Sequence, residues 1–156
     1  MAERKPTFSW LLQKPLCFLG FGFGSGLSPV APGTAGTLAV LCLLGIDGWI
    51  LLLLCIALFF WGIRICGYTE RELGIQDYGG IVWDEIVAML LVLSLIPFKW
   101  SWWLAAFIIF RLFDALKPWP IKWFDRRIHG GLGIMLDDLI AAVMTLMVLG
   151  LFYWIA

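Results

Sequence analysis

The chain has 156 residues, of which 62% are hydrophobic, 16% aromatic and only 14% charged, and its mean hydropathy is +0.95. Because so few polar side chains cannot cover a soluble globule, this composition predicts a protein that lies in a lipid bilayer. The 11 Lys and Arg balance the 11 Asp and Glu, which argues against a nucleic-acid partner or an acidic tail.

Five apolar runs predict an all-α fold, a small polytopic membrane helical bundle of about five short spans. A Gly/Pro-rich loop, residues 21–37, precedes most of the first run, which could dip into the membrane and return instead of crossing. Most runs are shorter than the ~20 residues that cross a bilayer core, so their helices are expected to end in a polar site or in a thinned membrane. The runs are Gly36–Ile46, Trp49–Ile63, Ile81–Phe98, Trp100–Phe113 and Leu139–Ala156.

No internal repeat or hydrophilic linker divides the chain, so residues 1–156 are expected to form a single domain. The N-terminal segment is interrupted by Lys14 and Pro15, which is not typical of a cleaved signal peptide.

The distribution of positive charges predicts the topology. If all five runs cross from a cytoplasmic N-terminus, ten Lys and Arg lie inside and only Lys99 lies outside; if the first run does not cross, the count is four against seven. The positive-inside rule favours the first arrangement and hence a periplasmic C-terminus. The ten inside residues are Arg4, Lys5, Lys14, Arg64, Arg71, Arg111, Lys117, Lys122, Arg126 and Arg127. This topology brings the polar segments together at the cytoplasmic face.

The segment FGFGSGLSPVAPGTAGT, residues 21–37, is rich in glycine. Successive backbone N–H groups before a helix can bind an anion, and glycine allows the backbone to approach a ligand closely. A membrane-entry loop or a close helix-packing surface would explain the same glycines. Thr34 and Thr37 could cap the following helix or contact a phosphate. The segment contains neither a dinucleotide fingerprint nor a P-loop.

The segment FRLFDALKPWPIKWFDRRIHGG, residues 110–131, places Arg111, Asp114 and Lys117 three residues apart, on one face of a helix that Pro118 ends. Two cations on either side of a carboxylate could bind a phosphate while the carboxylate binds a metal ion next to it. A simple ion pair between interfacial charges is the alternative interpretation.

Other polar residues of this segment are interpreted as structural. The tryptophans are expected to anchor the interface, the remaining cations to meet lipid headgroups, and the single histidine to make a local hydrogen bond. These residues are Trp119, Trp123, Lys122, Arg126, Arg127 and His129.

Five carboxylates stand beside or within the apolar runs. A charged group at the centre of a membrane helix costs roughly 2.5–3.5 kcal/mol, so these acids require metal, cations or water. Oxygen ligands without thiol or imidazole favour Mg²⁺ over zinc. The acids are Asp84, Glu85, Asp114, Asp137 and Asp138. Because neighbouring side chains diverge by about 100° in a helix, one acid of each adjacent pair could bind metal while the other binds a cation. The four cysteines lack metal-binding spacing and are interpreted as small hydrophobic residues.

Four segments, taken together and in this order, resemble the signature blocks of the phosphatidylglycerophosphatase A family. They are FGFGSGLSPVAPGTAGT, IVWDEIVAM, FRLFDALKPWPI and GGLGIMLDDLIAA, which cover most of the chain from residue 20 to residue 145. One departure concerns packing more than chemistry. The family often has a small residue, commonly glycine, after each acidic pair, where this chain has Val87, Ala88 and Ala142.

The resemblance implies a Mg²⁺-dependent enzyme of the bacterial inner membrane that converts phosphatidylglycerophosphate to phosphatidylglycerol and phosphate. It implies that the five acids are catalytic and metal-binding. It also implies that the substrate phosphate is bound by Arg111, Lys117, Gly33, Thr34, Gly36 and Thr37.

The expected enzyme is a multi-pass protein whose active site faces the cytoplasm, with a membrane phospholipid as substrate and with no nucleic acid as partner. The sequence indicates no protein partner. A metal-bound water is the favoured nucleophile and an attacking carboxylate is the alternative. A cation or proton transporter that uses the intramembrane acids is the alternative function, but the outer half of the predicted bundle carries almost no charge.

Overall fold

The computed structural model describes residues 6–43, 45–97 and 99–155, with the side chains of residues 39, 41, 42, 154 and 155 left out. All regular structure in these ranges is helical, which confirms the all-α prediction. The α-helices are α1 (Phe8–Leu12), α2 (Pro15–Gly20), α3 (Pro32–Ala39), α4 (Gly48–Leu73), α5 (Trp83–Leu95), α6 (Trp100–Leu116), α7 (Ile121–Asp125) and α8 (Gly130–Ile155), and 3₁₀ helices occupy Gly22–Leu27 and Val40–Leu43.

The two longest helices, α4 and α8, have 26 residues each. At 1.5 Å per residue each is about 39 Å long, enough to cross a ~30 Å hydrocarbon core. Gly48–Leu73 and Gly130–Tyr153 are the two segments of the described chain that are both long and apolar enough to span a membrane. Helix α4 begins where the Asp47 side chain accepts a hydrogen bond from the Trp49 N–H at 2.9 Å, and it ends at Leu73, before Gly74 with a φ of 67°.

Helix α5 is the central element of the bundle. It packs against α4, α8 and α3, and Met89, Leu90 and Val92 are almost completely buried. Its 13 residues give about 20 Å of helix, which is shorter than a bilayer core. Helix α5 therefore acts as the packing core for longer neighbours, and its first turn lies inside the protein.

Helix α6 has one face that is unsuited to water. Every fourth residue along it is a large apolar side chain that is more than half exposed, namely Trp100, Leu104, Ile108, Leu112 and Leu116. A continuous exposed apolar row of this kind is typical of contact with lipid. The opposite side of α6 packs against α8, and it buries Trp103, Ala106 and Phe110.

Two helices extend beyond the predicted apolar runs, because charged residues end an apolar run without ending a helix. Helix α8 begins at Gly130, nine residues before the predicted Leu139, so Asp137 and Asp138 lie within it. These acids are buried in the bundle and do not face lipid. Helix α4 likewise continues ten residues beyond Ile63, to Leu73.

The first predicted run also differs from the structure. Its helix, α3, already begins at Pro32, inside the stretch that was expected to be a loop, and continues as the 3₁₀ helix Val40–Leu43. Proline at the first helical position explains this start, since its fixed φ suits a helix and its missing N–H is not needed there. The ends of two other runs, Phe98 and Ala156, lie outside the described residues.

The N-terminal elements fix the start of α5. Helix α2 packs on α4, and the Val82 N–H donates to the Gly20 carbonyl at 2.9 Å. Gly26 lies so close to Gly80 that a Cβ at position 26 would overlap the Gly80 carbonyl oxygen. These backbone contacts hold the segment just before α5, and with it the first acidic pair.

Candidate active site

The first wall of the candidate site is the N-terminal turn of α5, which carries Asp84 and Glu85. A helix N-terminus favours carboxylates, because its backbone N–H groups carry partial positive charge. Asp84 is only 8% exposed. Its Oδ1 atom is buried and has no hydrogen-bond partner within the described part of the chain.

The second wall is the C-terminal half of α6. Arg111 Nη1 donates to Glu85 Oε2 at 2.5 Å and to Asp114 Oδ2 at 2.8 Å. The predicted position of Arg111 and Asp114 on one helix face is therefore confirmed, and the ion pair of the alternative interpretation is present. The same guanidinium also links α6 to α5.

The third wall is α8, where Asp137 and Asp138 are 5% and 4% exposed. Their side chains diverge as predicted for neighbours in a helix. Asp138 lies close to Asp84 and Asp114. Asp137 points instead to Lys117, whose Nζ lies 3.0 Å from Asp137 Oδ2. Each acid retains one buried oxygen, Asp137 Oδ1 and Asp138 Oδ2, without a hydrogen-bond partner among the described residues.

Lys117 lies among three carboxylates, two of which the sequence analysis had missed. Its Nζ is 3.0 Å from Asp125 Oδ1, 3.0 Å from Asp137 Oδ2 and 3.4 Å from Asp77 Oδ2. Burial alone would lower the pKa of Lys117, but the hydrogen bonds to Asp125 and Asp137 and the charge of Asp77 outweigh it and raise this pKa above its ordinary value. Lys117 is therefore a permanent cation of the site.

The pKa of Asp125 is shifted in the opposite direction. Burial alone would raise its pKa, but the hydrogen bond from Lys117 and the charge of Lys117 hold the pKa of Asp125 below its ordinary value. Asp125 is therefore a carboxylate at neutral pH, and it contributes a fixed negative charge next to Lys117.

The glycine-rich segment supports the acids through α3. Thr37 Oγ1 donates to the Gly33 carbonyl at 2.7 Å and contacts Glu85 Oε2 at 3.3 Å. A Cβ at position 33 would overlap the Glu85 carboxylate, so only glycine fits there without displacing that acid. Gly36 packs against Val82. The described side-chain hydrogen bonds join Thr37 to the site, but none of them reaches Thr34.

Three further expectations can be compared with the structure. His129 makes a hydrogen bond as expected, but the bond is not local, because its partner at 3.0 Å from Nδ1 is Nε2 of Gln76, 53 residues away in the sequence. Trp119 is 79% exposed, which suits an interfacial anchor. Cys17, Cys55 and Cys66 are buried free thiols, as expected of small hydrophobic residues, whereas the Cys42 side chain lies outside the described residues.

Seven carboxylates thus form a cluster, and five of them contact one of two cations, Arg111 and Lys117. The acids are Asp77, Asp84, Glu85, Asp114, Asp125, Asp137 and Asp138. Within the described ranges no three acids, cysteines or histidines form a ready-made metal-binding group. The unpartnered oxygens of Asp84, Asp137 and Asp138 nevertheless need a positively charged or hydrogen-bonding partner.

The chain is similar to known proteins of one family along most of its length. The sequence profile of the family described as "Phosphatidylglycerophosphatase A" matches residues 18–153. The chain is 44% identical to phosphatidylglycerophosphatase A of Escherichia coli K12, over 92% of this chain and 85% of that protein. It is 43% identical to phosphatidylglycerophosphatase A of Haemophilus influenzae, over 99% of each chain.

A more distant relative has a different description. The putative phosphatidylinositol-3-phosphatase of Bacteroides thetaiotaomicron is 35% identical over 97% of this chain and 98% of that protein. No solved structure matches the chain.

Proposed function

The chain belongs to the phosphatidylglycerophosphatase A family, and from this premise we propose that it hydrolyses the terminal phosphomonoester of phosphatidylglycerophosphate to phosphatidylglycerol and inorganic phosphate. Two cations among buried acids, at one end of an apolar bundle, suit a phosphate group on a membrane lipid. The observation that supports this chemistry best is the presence of buried, unpartnered carboxylate oxygens on α5 and α8.

The donor set fits Mg²⁺. Hard divalent cations take carboxylate oxygens, water and substrate phosphate, and the oxygens that lack partners here are of that type. Asp84 and Asp138 would hold the ion, with Asp114 beside Asp138, whereas Asp137 is held by Lys117 and Glu85 by Arg111. A bound Mg²⁺ supplies Lewis-acid polarisation of the phosphoryl oxygens and acidifies water.

The remaining chemistry belongs to the side chains. Arg111 and Lys117 bind the phosphate oxygens, and Glu85 and Asp114 orient the Arg111 guanidinium. In the favoured route, a water oxygen attacks phosphorus while the bond to the glycerol oxygen breaks. A carboxylate of the cluster that does not hold the ion accepts a proton of that water, and the departing glycerol oxygen takes up a proton to leave as the alcohol. In the alternative route a carboxylate attacks phosphorus and forms an aspartyl-phosphate, which trapping of phosphorylated protein would reveal.

The proposed location is the bacterial inner membrane, with a multi-pass bundle whose site faces the cytoplasm. Helices α4 and α8 are candidate spans by length and composition, and the exposed apolar row on α6 supports a third lipid-facing element. In this proposed topology the shorter α3 and α5 are the other two segments. The charge distribution favours a periplasmic C-terminus. A C-terminal reporter that is active only in the cytoplasm would contradict this topology.

Phosphate release from detergent-dispersed phosphatidylglycerophosphate tests the proposed activity. We expect release with Mg²⁺ and at least about 100-fold less after chelation, because the repulsion among the acids and the phosphate is then uncompensated. Phosphatidylinositol 3-phosphate serves as a comparison substrate, since one relative is described by that activity. If folded protein released no phosphate from phosphatidylglycerophosphate under any divalent metal, the proposal would fail. A cation or proton transporter would then be the remaining interpretation of the acids.

A further inference from the structure

All three hydrogens of the Lys117 ammonium are directed to carboxylates. An ammonium group has three donors and no acceptor, and Lys117 Nζ has three acidic partners, Asp77, Asp125 and Asp137. A phosphate oxygen can bond to Lys117 only if one of these partners withdraws.

The three partners are not equivalent. Asp137 lies 3.0 Å from Lys117 with a side chain only 7% exposed, and Asp125 lies at 3.0 Å with 36% exposed. Asp77 lies at 3.4 Å and is 51% exposed. Because a long, exposed ion pair contributes little free energy, the bond to Asp77 is the cheapest to exchange.

The local backbone also allows Asp77 to withdraw. Asp77 belongs to the connection between α4 and α5, and its φ is 47°. Aspartate tolerates this left-handed conformation better than most residues. At Gly74 and Gly79, on either side of Asp77, an added Cβ would meet nothing within 4 Å. Little therefore packs against the chain at these two positions, whereas the later part of the connection, from Gly80 to Val82, is held by backbone contacts.

We propose that the Asp77 carboxylate occupies the position on Lys117 that an oxygen of the substrate phosphate takes, and that Asp77 thereby sets the affinity of the site for phosphate. Asp125 and Asp137 keep their bonds and hold the ammonium in place during the exchange. When the reaction is complete, Asp77 returns to Lys117 and displaces inorganic phosphate, which limits product inhibition. This role rests on the proposed phosphatase function, because it requires Lys117 to bind the phosphate of the substrate.

Asp77→Asn tests the proposal most sharply. Asparagine keeps the size of the side chain and tolerates positive φ, but it removes the negative charge that competes with phosphate. We expect both the KM for phosphatidylglycerophosphate and the inhibition constant of inorganic phosphate to fall about three- to fivefold, the effect of removing one weak ion pair. We expect kcat to change less than KM.

Two matched variants separate this role from a general charge effect. Glu70 lines the same small cavity as Asp77, but it is not among the described partners of Lys117, so Glu70→Gln should leave both constants unchanged. Asp125→Asn should not lower the KM, because it removes an anchor of the ammonium.

The outcomes are distinct. An unchanged or higher KM and inhibition constant in Asp77→Asn would overturn the proposal. An equal decrease in all three variants would also overturn it, because it would show that total charge and not the position of Asp77 matters. Inorganic phosphate binding, measured by calorimetry on the same purified proteins, compares Asp77→Asn with the unmodified chain even without turnover. Failure of the unmodified chain to hydrolyse the lipid would contradict the proposed function separately.

Discussion

Asp138→Asn is expected to reduce phosphate release from phosphatidylglycerophosphate by at least about 100-fold, the usual scale for losing one group that stabilises developing charge in a closed site. Asp138 is 4% exposed, and its Oδ2 atom is buried without a hydrogen-bond partner in the described ranges. Its neighbours are Asp84 and Asp114, from two other helices. An amide of the same shape would fill the space but could not supply the anionic oxygen that a divalent cation binds.

Folding of this variant should be preserved. Replacing one of several clustered acids by an amide removes repulsion between like charges, so the thermal midpoint in detergent should stay the same or rise. Asp47→Asn is the matched control, since Asp47 caps the start of α4 and asparagine caps a helix equally well. The control should retain full activity. Near-normal turnover by Asp138→Asn would show that the α8 wall is not part of the reaction centre.

Arg111→Gln is expected to lower kcat/KM about 100-fold or more and also to destabilise the protein. Arg111 is the link between α5 and α6, because its Nη1 donates to both Glu85 and Asp114. Within the described contacts both bonds use this one nitrogen, which leaves Nη2 for a phosphate oxygen. The glutamine amide can replace one of these bonds, but not the positive charge.

The stability effect follows from burial. The side chains of Glu85 and Asp114 are 12% and 16% exposed, and leaving such groups without their cation costs about 1–3 kcal/mol. The thermal midpoint should therefore fall by several degrees. Arg127→Gln is the control, because the Arg127 guanidinium lies 4.4 Å from the Trp123 ring and outside the acidic cluster. Equal losses in both variants would contradict a specific role for Arg111.

The sequence alone predicted those contacts that depend on helical spacing. Arg111 and Asp114 are three residues apart and do form an ion pair. Asp137 and Asp138 are adjacent and do point to different partners. Periodicity determines such relations, because a helix places side chains at fixed angles whatever packs around it.

The contacts that were missed depend on tertiary packing. Asp77 is 40 residues from Lys117 and lies in a connection that has no periodic pattern. Asp125 stands among cations in WFDRR, a context typical of an interfacial loop. The position of Asp125 as the one acid among neighbouring cations could have indicated an ion pair. For Asp77 the only indication in the sequence was its position a few residues before the pair Asp84 and Glu85.

The predicted ends of the apolar runs differ from the ends of the helices because hydropathy and helix formation depend on different properties. Hydropathy measures whether a segment suits lipid, whereas a helix continues wherever its backbone hydrogen bonds and packing allow. The start of α8, residues 130–138, contains glycines and two acids. These residues face the protein interior, where Gly131 packs so tightly on α4 that a Cβ would overlap the Ile63 carbonyl oxygen.

Binding of Mn²⁺, followed by electron paramagnetic resonance on the purified protein in detergent, tests most directly whether the acids of α5 and α8 form one metal site. Mn²⁺ prefers the same oxygen ligands as Mg²⁺, and its free-ion signal reports binding without any turnover. The account predicts saturable binding that Mg²⁺ displaces, and at least about tenfold weaker binding in both Asp84→Asn and Asp138→Asn, with Asp47→Asn unchanged. Undiminished Mn²⁺ affinity in both site variants would contradict the account.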